Sequence, residues 1–161
     1  MSEEDDIKLR LIEKFGSLSE KIIVKRQRRI FADVSLPDFA EIFEYAVKTL
    51  NFSILAAITG LDGDTTFGVI YHLANENGIM LNLHTYPPKD NSVITTITPY
   101  FPAAEAYERE LVDLLGIQVS GLPQGNRYPL PDNWPTNQYP LRKDWKVETL
   151  DKKEENKNAS L

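Results

Sequence analysis

The chain contains no cysteine and only two histidines, His72 and His84. The first absence removes disulfides, thiolate nucleophiles, cysteine-held iron–sulfur clusters and cysteine zinc sites from this chain. The second leaves little for a metal centre, since both histidines fall in strand-like segments with no Asp or Glu at ligand spacing. No apolar run approaches the ~20 residues of a membrane span. The opening segment MSEEDDIKLR is acidic where a signal peptide requires a basic region. Glycine-rich phosphate loops and serine-nucleophile motifs are missing too. GLDGDT (residues 60–65) has the acidity of a calcium loop without its spacing or its closing glutamate.

Positive charge is in deficit: 18 Lys and Arg against 24 Asp and Glu give a formal net charge of −6, which argues against general nucleic-acid binding. The local exception is KIIVKRQRRI, with Lys21, Lys25, Arg26, Arg28 and Arg29. It reads first as a solvated strand edge or turn, and alternatively as a docking patch for an acidic partner. These properties describe a cytoplasmic chain that meets a membrane only through partners.

What is present is enough for one ordinary domain: 161 residues, 42% of them hydrophobic. Residues 5–16 predict a short helix with Ile7, Leu11, Ile12 and Phe15 on one side and Gly16 as its stop. KIIV and RIFADV read as strands. SLPDFAEIFEYAVKTL is the clearest helix, with Ser35 as cap, Pro37 in the first turn and Phe39, Ile42, Phe43, Ala46, Val47 and Leu50 at helical spacing. Three strands follow. FSILAAITG ends at the turn LDGD; TFGVIYHLA places Phe67, Val69, Tyr71 and Leu73 on one face; IMLNLHTY does the same with Ile79, Leu81 and Leu83. SVITTIT predicts a weaker strand before a last helix that begins near Pro102. The fold class expected is α+β, a mainly antiparallel sheet with helices packed on one face, occupying residues 1–117.

The last helix contains AYERELVDLLGI, dense in charge: Glu108, Arg109, Glu110 and Asp113. A general acid–base pair needs two groups converging on one substrate. On a helix Glu108 and Glu110 lie about 200° apart and cannot share one. Arg109 stands one turn after Glu105 and one turn before Asp113, which predicts two ion pairs along one face, with Tyr107, Leu111 and Leu114 as the core stripe. Ala103, Ala104 and Ala106 are small enough to admit another backbone. A structural or docking role fits this helix better than catalysis.

Residues 118–145 carry five prolines and no amphipathic period, the signature of an extended arm close to polyproline II. An irregular stretch of about 28 residues is uncommon in a compact domain unless it has a function. Trp134, Trp145, Tyr128 and Tyr139 require burial, which argues against disorder and for docking, either on a neighbour or over the arm's own domain. Prolines lower the entropy cost of ordering such an arm. Residues 146–161, ending KKEENKNASL, predict a polar, flexible tail.

AAEAYERELVDLLGI followed by GLPQGNRYPLPDNW and PLRKDW resembles the thirty-kilodalton subunit family of respiratory complex I, which has relatives in archaeal energy-converting membrane-bound hydrogenases. The resemblance includes FSILAAITGLDGDTTFGVIYHL and so covers residues 28–145. Its motif falls here on Glu108, Arg109, Glu110, Asp113, Gly116 and Ile117, on Gly121, Pro123 and Arg127, and on Pro140, Leu141, Arg142, Lys143 and Asp144. Gly121-Leu122-Pro123 departs from the Gly-His-Pro usual in complex I members, which tilts the resemblance toward the archaeal hydrogenase type. It implies a non-catalytic subunit of the peripheral arm of a membrane oxidoreductase, at the cytoplasmic side of the membrane, with no cofactor or metal of its own. Iron–sulfur clusters and a NiFe centre would belong to partners: a hydrogenase-large-subunit-like protein and iron–sulfur subunits. The subunit interface it implies comprises Glu108, Arg109, Glu110, Asp113, Arg127, Trp134, Tyr139, Leu141, Arg142, Lys143, Asp144 and Trp145. The alternatives are a subunit of a full NAD(P)H/quinone complex I, a free-standing adaptor using its proline-rich arm, and a small hydrolase using Glu108 or Glu110, which the helical geometry disfavours.

Overall fold

The computed structural model describes residues 2–148. Helix α1 (Glu3–Lys14) starts at a capping box in which Ser2 Oγ accepts the Asp5 N–H and the Asp5 carboxylate accepts the Ser2 N–H. Its apolar side buries Ile7 and Leu11, and a short 3₁₀ turn then drops Leu18 into the same core. Strands β1 (Ile22–Arg26) and β2 (Arg29–Asp33) form a hairpin whose tip residue, Arg28, takes a left-handed φ of 59°. The Arg28 N–H donates to Glu4 Oε1 at 2.6 Å, tying the tip to α1. Helix α2 (Leu36–Lys48) begins as its sequence dictates, with Ser35 Oγ accepting the Asp38 N–H and Pro37 in the first turn.

Strands β3 (Ile54–Asp62), β4 (Phe67–Ala74) and β5 (Met80–Thr85) complete a five-stranded sheet of order β1-β2-β5-β4-β3. Three of its ladders are antiparallel, but β2 and β5 run parallel, so the sheet is mixed rather than uniformly antiparallel. The cause is α2, which carries the chain back across the sheet before the β3–β5 meander begins, as a parallel pairing requires. The weak strand predicted from SVITTIT is present as β6 (Val93–Thr95), yet it lies outside this sheet. Pro87 and Pro88 interrupt the chain, and β6 pairs in parallel with β7 (Gln118–Ser120).

One face of the large sheet is the core. Phe67, Val69, Tyr71 and Leu73 of β4 are all fully buried, with Leu81 and Leu83 of β5 and Ile30 of β2 beside them. The α2 rings of Phe39 and Phe43 meet the Tyr71 ring at 4.6 and 5.9 Å. On the opposite face the polar residues are joined across the strands. Asn82 Nδ2 donates to the Ile30 carbonyl, so Asn82 Oδ1 accepts from His72 Nδ1 at 2.6 Å and His72 Nε2 accepts from Thr59 Oγ1 at 2.9 Å. His72 is therefore a satisfied sheet residue. Residues 149–161, most of the predicted tail, lie outside the described residues.

Candidate subunit-docking site

Helix α3 (Ala104–Glu110) continues into a π-helical turn (Leu111–Leu115) that ends at Gly116, whose φ is 74°. The widened turn changes which side chains face the sheet. Leu115 rather than Leu114 sits beneath Leu111, and the inward set is Ala104, Glu108, Leu111 and Leu115, while Tyr107 and Leu114 are only half-buried. The core stripe predicted as Tyr107, Leu111 and Leu114 is thus rotated. Room for it comes from Gly60 on β3, where a Cβ would stand 2.5 Å from Leu115 Cδ1 and 2.6 Å from Leu111 Cδ2.

Glu108, expected from the motif at a subunit interface, is wholly inside this chain. Its carboxylate accepts the Ile97 N–H at 2.7 Å and the Thr96 hydroxyl at 2.6 Å, holding the β6 segment onto α3. Burial pushes its carboxyl above the ordinary range, against the opposing effect of those two bonds. The Tyr71 hydroxyl is sealed in the same core without a hydrogen-bond partner, and burial together with the Glu108 charge raises it. Glu110 is half-buried on the outer side.

Arg109 makes only one of its two predicted ion pairs. Its Nε and Nη2 donate to Glu105 Oε1 at 3.0 and 2.8 Å, but Nη2 turns on to the Pro123 carbonyl at 2.6 Å rather than to Asp113. Asp113 is taken by the arm instead, accepting Arg127 Nε at 2.9 Å and the Leu130 N–H at 3.2 Å. The physical reason is the π-turn, which moves Asp113 off the row that Arg109 follows, combined with an arm that supplies a second guanidinium.

Residues 121–145 run through turns without helix or strand and touch the α3 end repeatedly. Arg127 Nη1 donates to the Trp134 carbonyl at 2.8 Å. Trp134 Nε1 donates to the Gln138 carbonyl and Trp145 Nε1 to Gln138 Oε1, with the two indoles 6.0 Å apart. Leu141 N–H and Arg142 Nε donate to the carbonyls of Leu114 and Leu115 at 3.1 and 2.7 Å. These are the orphan acceptors at a helix C-terminus, where a cation is also favoured. The Arg142 guanidinium stacks between the rings of Tyr139 and Phe67, at 4.5 and 5.2 Å. Lys143 N–H donates to Asp62 Oδ2 at 2.7 Å, and Asp62 is ion-paired with Lys89 at 2.5 Å. Burial pushes the Asp62 carboxyl up, but Lys89 and the Lys143 N–H outweigh it and hold it below its ordinary value. Asp144 is exposed.

The two signature segments are therefore in contact within one chain: Asp113 with Arg127, and the end of the π-turn with Tyr139, Leu141 and Arg142. Sequence reasoning missed Asp62 and Lys89, because LDGD reads as a turn and nothing local ties it to a residue eighty positions on. Among the described residues no group of three or more His, Cys, Asp or Glu is placed to hold a metal ion, and no helix is long and apolar enough to cross a membrane.

Residues 32–150 match the family described as respiratory-chain NADH dehydrogenase, 30 Kd subunit. The membrane-bound hydrogenase subunit beta of Pyrococcus furiosus is 26% identical over 156 residues, covering 91% of this chain and 88% of that protein. An NADH-quinone oxidoreductase subunit of Chloroherpeton thalassium is 35% identical over 107 residues, covering 64% of this chain and 43% of that relative. Among solved structures, a chain of the membrane-bound sulfane sulfur reductase, an archaeal respiratory membrane complex, aligns with a TM-score of 0.82 and 26% identity, over 96% of this chain and 92% of that one.

Proposed function

The chain belongs to the respiratory-chain NADH dehydrogenase 30 Kd subunit family, and from that premise we propose that it is a non-catalytic assembly subunit in the peripheral arm of a membrane-bound oxidoreductase of the energy-converting hydrogenase type. It supports a hydrogenase-large-subunit-like protein and iron–sulfur subunits during electron transfer coupled to ion translocation. It holds no redox cofactor itself; iron–sulfur clusters and a NiFe centre belong to those partners, and the chain reaches the cytoplasmic side of the membrane through them. The observation that carries this reading is the clipped arm. The Arg127 and Arg142 side chains and the Lys143 N–H are spent on contacts within the chain, which fixes the arm's path while Tyr128, Leu141 and Val147 remain 48%, 56% and 57% exposed. Half-exposed apolar side chains on a fixed backbone suit docking, because little further entropy is lost on binding. The likeness along nearly the whole length of a hydrogenase subunit favours the hydrogenase type. A complex I of the NADH–quinone type is the second reading, favoured by the higher identity to the NADH-quinone oxidoreductase relative over a shorter stretch.

The test is purification of the tagged chain from its native membranes. The expected result is co-purification of a hydrogenase-large-subunit-like protein and iron–sulfur proteins, with iron–sulfur absorbance in the complex and none in the separated chain. Recovery of the chain alone, or iron bound stoichiometrically to the separated chain, overturns the reading.

A further inference from the structure

A hollow of about 600 Å³ opens where the arm rejoins the outer strand of the sheet, between β3, β4 and the segment around Leu141. Gly60 and Gly68 line it beside the side chains of His84 and Leu115. At Gly68 a Cβ would stand 2.7 Å from His84 Nε2, and at Gly60 the space beneath is already filled by Leu111 and Leu115. Three large side chains surround the hollow and remain half-exposed: Leu61 at 46%, Tyr86 at 43% and Leu141 at 56%. They are held in place rather than loose. Leu141 is pinned by its N–H on the Leu114 carbonyl and by its neighbours' bonds to Leu115 and Asp62. Tyr86 is fixed by its hydroxyl, which donates to Asp33 Oδ1 at 2.7 Å and lies 2.9 Å from His84 Nδ1, so the ring turns its apolar flank to the hollow. At the rim Lys89 is ion-paired with Asp62, while the Lys143 ammonium, near enough to help hold the Asp62 carboxyl down, makes no ion pair of its own among the described residues.

We infer that this hollow, bounded by Leu61, Tyr86 and Leu141, seats one large apolar side chain of a partner subunit, flanked on the partner by a carboxylate that lies against Lys143. The inference rests on the proposed role as an assembly subunit and specifies where that role is exercised. An apolar patch gathered round a concave floor is the arrangement in which a single anchor residue dominates an interface. The surplus ammonium at the rim selects an acidic neighbour beside the anchor and disfavours a basic one.

The test uses the whole tagged chain in its native complex. Leu61→Asp and Leu141→Asp are expected to leave the melting temperature of the isolated chain unchanged, since both side chains are half-exposed, yet to lower recovery of partner subunits by about tenfold or more. Lys143→Glu should weaken recovery in the same direction. Leu9→Asp, on α1 and 44% exposed, should recover the parent amount. A photo-crosslinking amino acid in place of Leu141 should join the chain to one of those subunits. If the unmodified chain recovers no oxidoreductase subunit, the proposed function fails and this inference with it. If it recovers them and the hollow variants do so equally well, or the crosslink does not form, only this inference is overturned. A dimer of the isolated chain that Leu141→Asp makes monomeric overturns it in favour of a second copy.

Discussion

A carboxyl group sealed from water is easier to keep neutral than charged, and Glu108 is held by two donors without an ion pair among the described residues. Because burial raises its folded pKa above the unfolded value, the folded chain binds the proton more tightly. Its contribution to stability is then fully present below the unfolded carboxyl range and is lost as pH rises through the raised folded value, with no further change above it. Glu108→Gln should flatten that slope in urea unfolding measured from about pH 4 to about pH 8, at a cost of about 1 kcal/mol or less, since the amide can accept from Ile97 N–H and donate to Thr96. Glu108→Ala should cost about 2–4 kcal/mol at low pH, because it strands the Ile97 N–H and leaves a cavity, and less as pH rises through the raised folded value. A Gln variant as damaging as Ala would contradict this account of the carboxyl.

The end of α3 is completed by a segment far along the chain. Gly116 is needed there twice: its φ of 74° disfavours a side chain, and a Cβ would stand 2.6 Å from the Tyr139 ring and 2.7 Å from Arg142 Nη2. Gly116→Ala should therefore cost more than the ~1 kcal/mol of a strained backbone alone, because the arm has to move as well. Arg142→Ala removes the donor to the Leu115 carbonyl and the ring stacking together, and should lower stability by about 1.5–3 kcal/mol. Arg142→Lys should recover little of it, since an ammonium cannot stack between two rings while bonding a carbonyl from Nε. Thermal melts order the three variants, and limited proteolysis of residues 121–148 should rise in parallel. Melts that fall while the arm keeps its protection would separate the helix end from the arm and contradict the coupling.

Across the whole molecule, the arm is both part of the chain's surface and the proposed means of assembly. β7 lies at Gln118–Ser120 and pairs with β6, so a truncation that spares the domain is placed after Gly121. Such a chain should keep its circular dichroism and a cooperative melt, because the buried core lies upstream. It should melt earlier than the full chain, having lost the bonds of Arg127, Leu130, Leu141, Arg142 and Lys143 to the domain, each of order 0.5–1.5 kcal/mol. It should also fail to co-purify with partner subunits. Loss of the cooperative melt would show that the arm belongs to the folding unit, and normal assembly would remove it from the interface.

Local pattern was enough for the elements whose burial is periodic. The alternation Phe67, Val69, Tyr71, Leu73 and the spacing Phe39, Ile42, Phe43, Ala46 are both buried as read, because a strand or helix with one apolar face has one way to hide it. The Ser35 cap was legible for the same reason, since caps are satisfied within a few residues. Tertiary structure decided what depends on distant partners. The parallel pairing of β2 with β5 is set by the path of α2, and no residue of either strand encodes it locally. The inward turn of Glu108 depends on donors from Thr96 and Ile97, which only the packing of β6 delivers. Asp113 goes to Arg127 rather than to Arg109 because a π-turn and a returning arm change which guanidinium lies within reach. Charged side chains can reach many partners from one backbone, so their pairing follows from the fold rather than from their spacing.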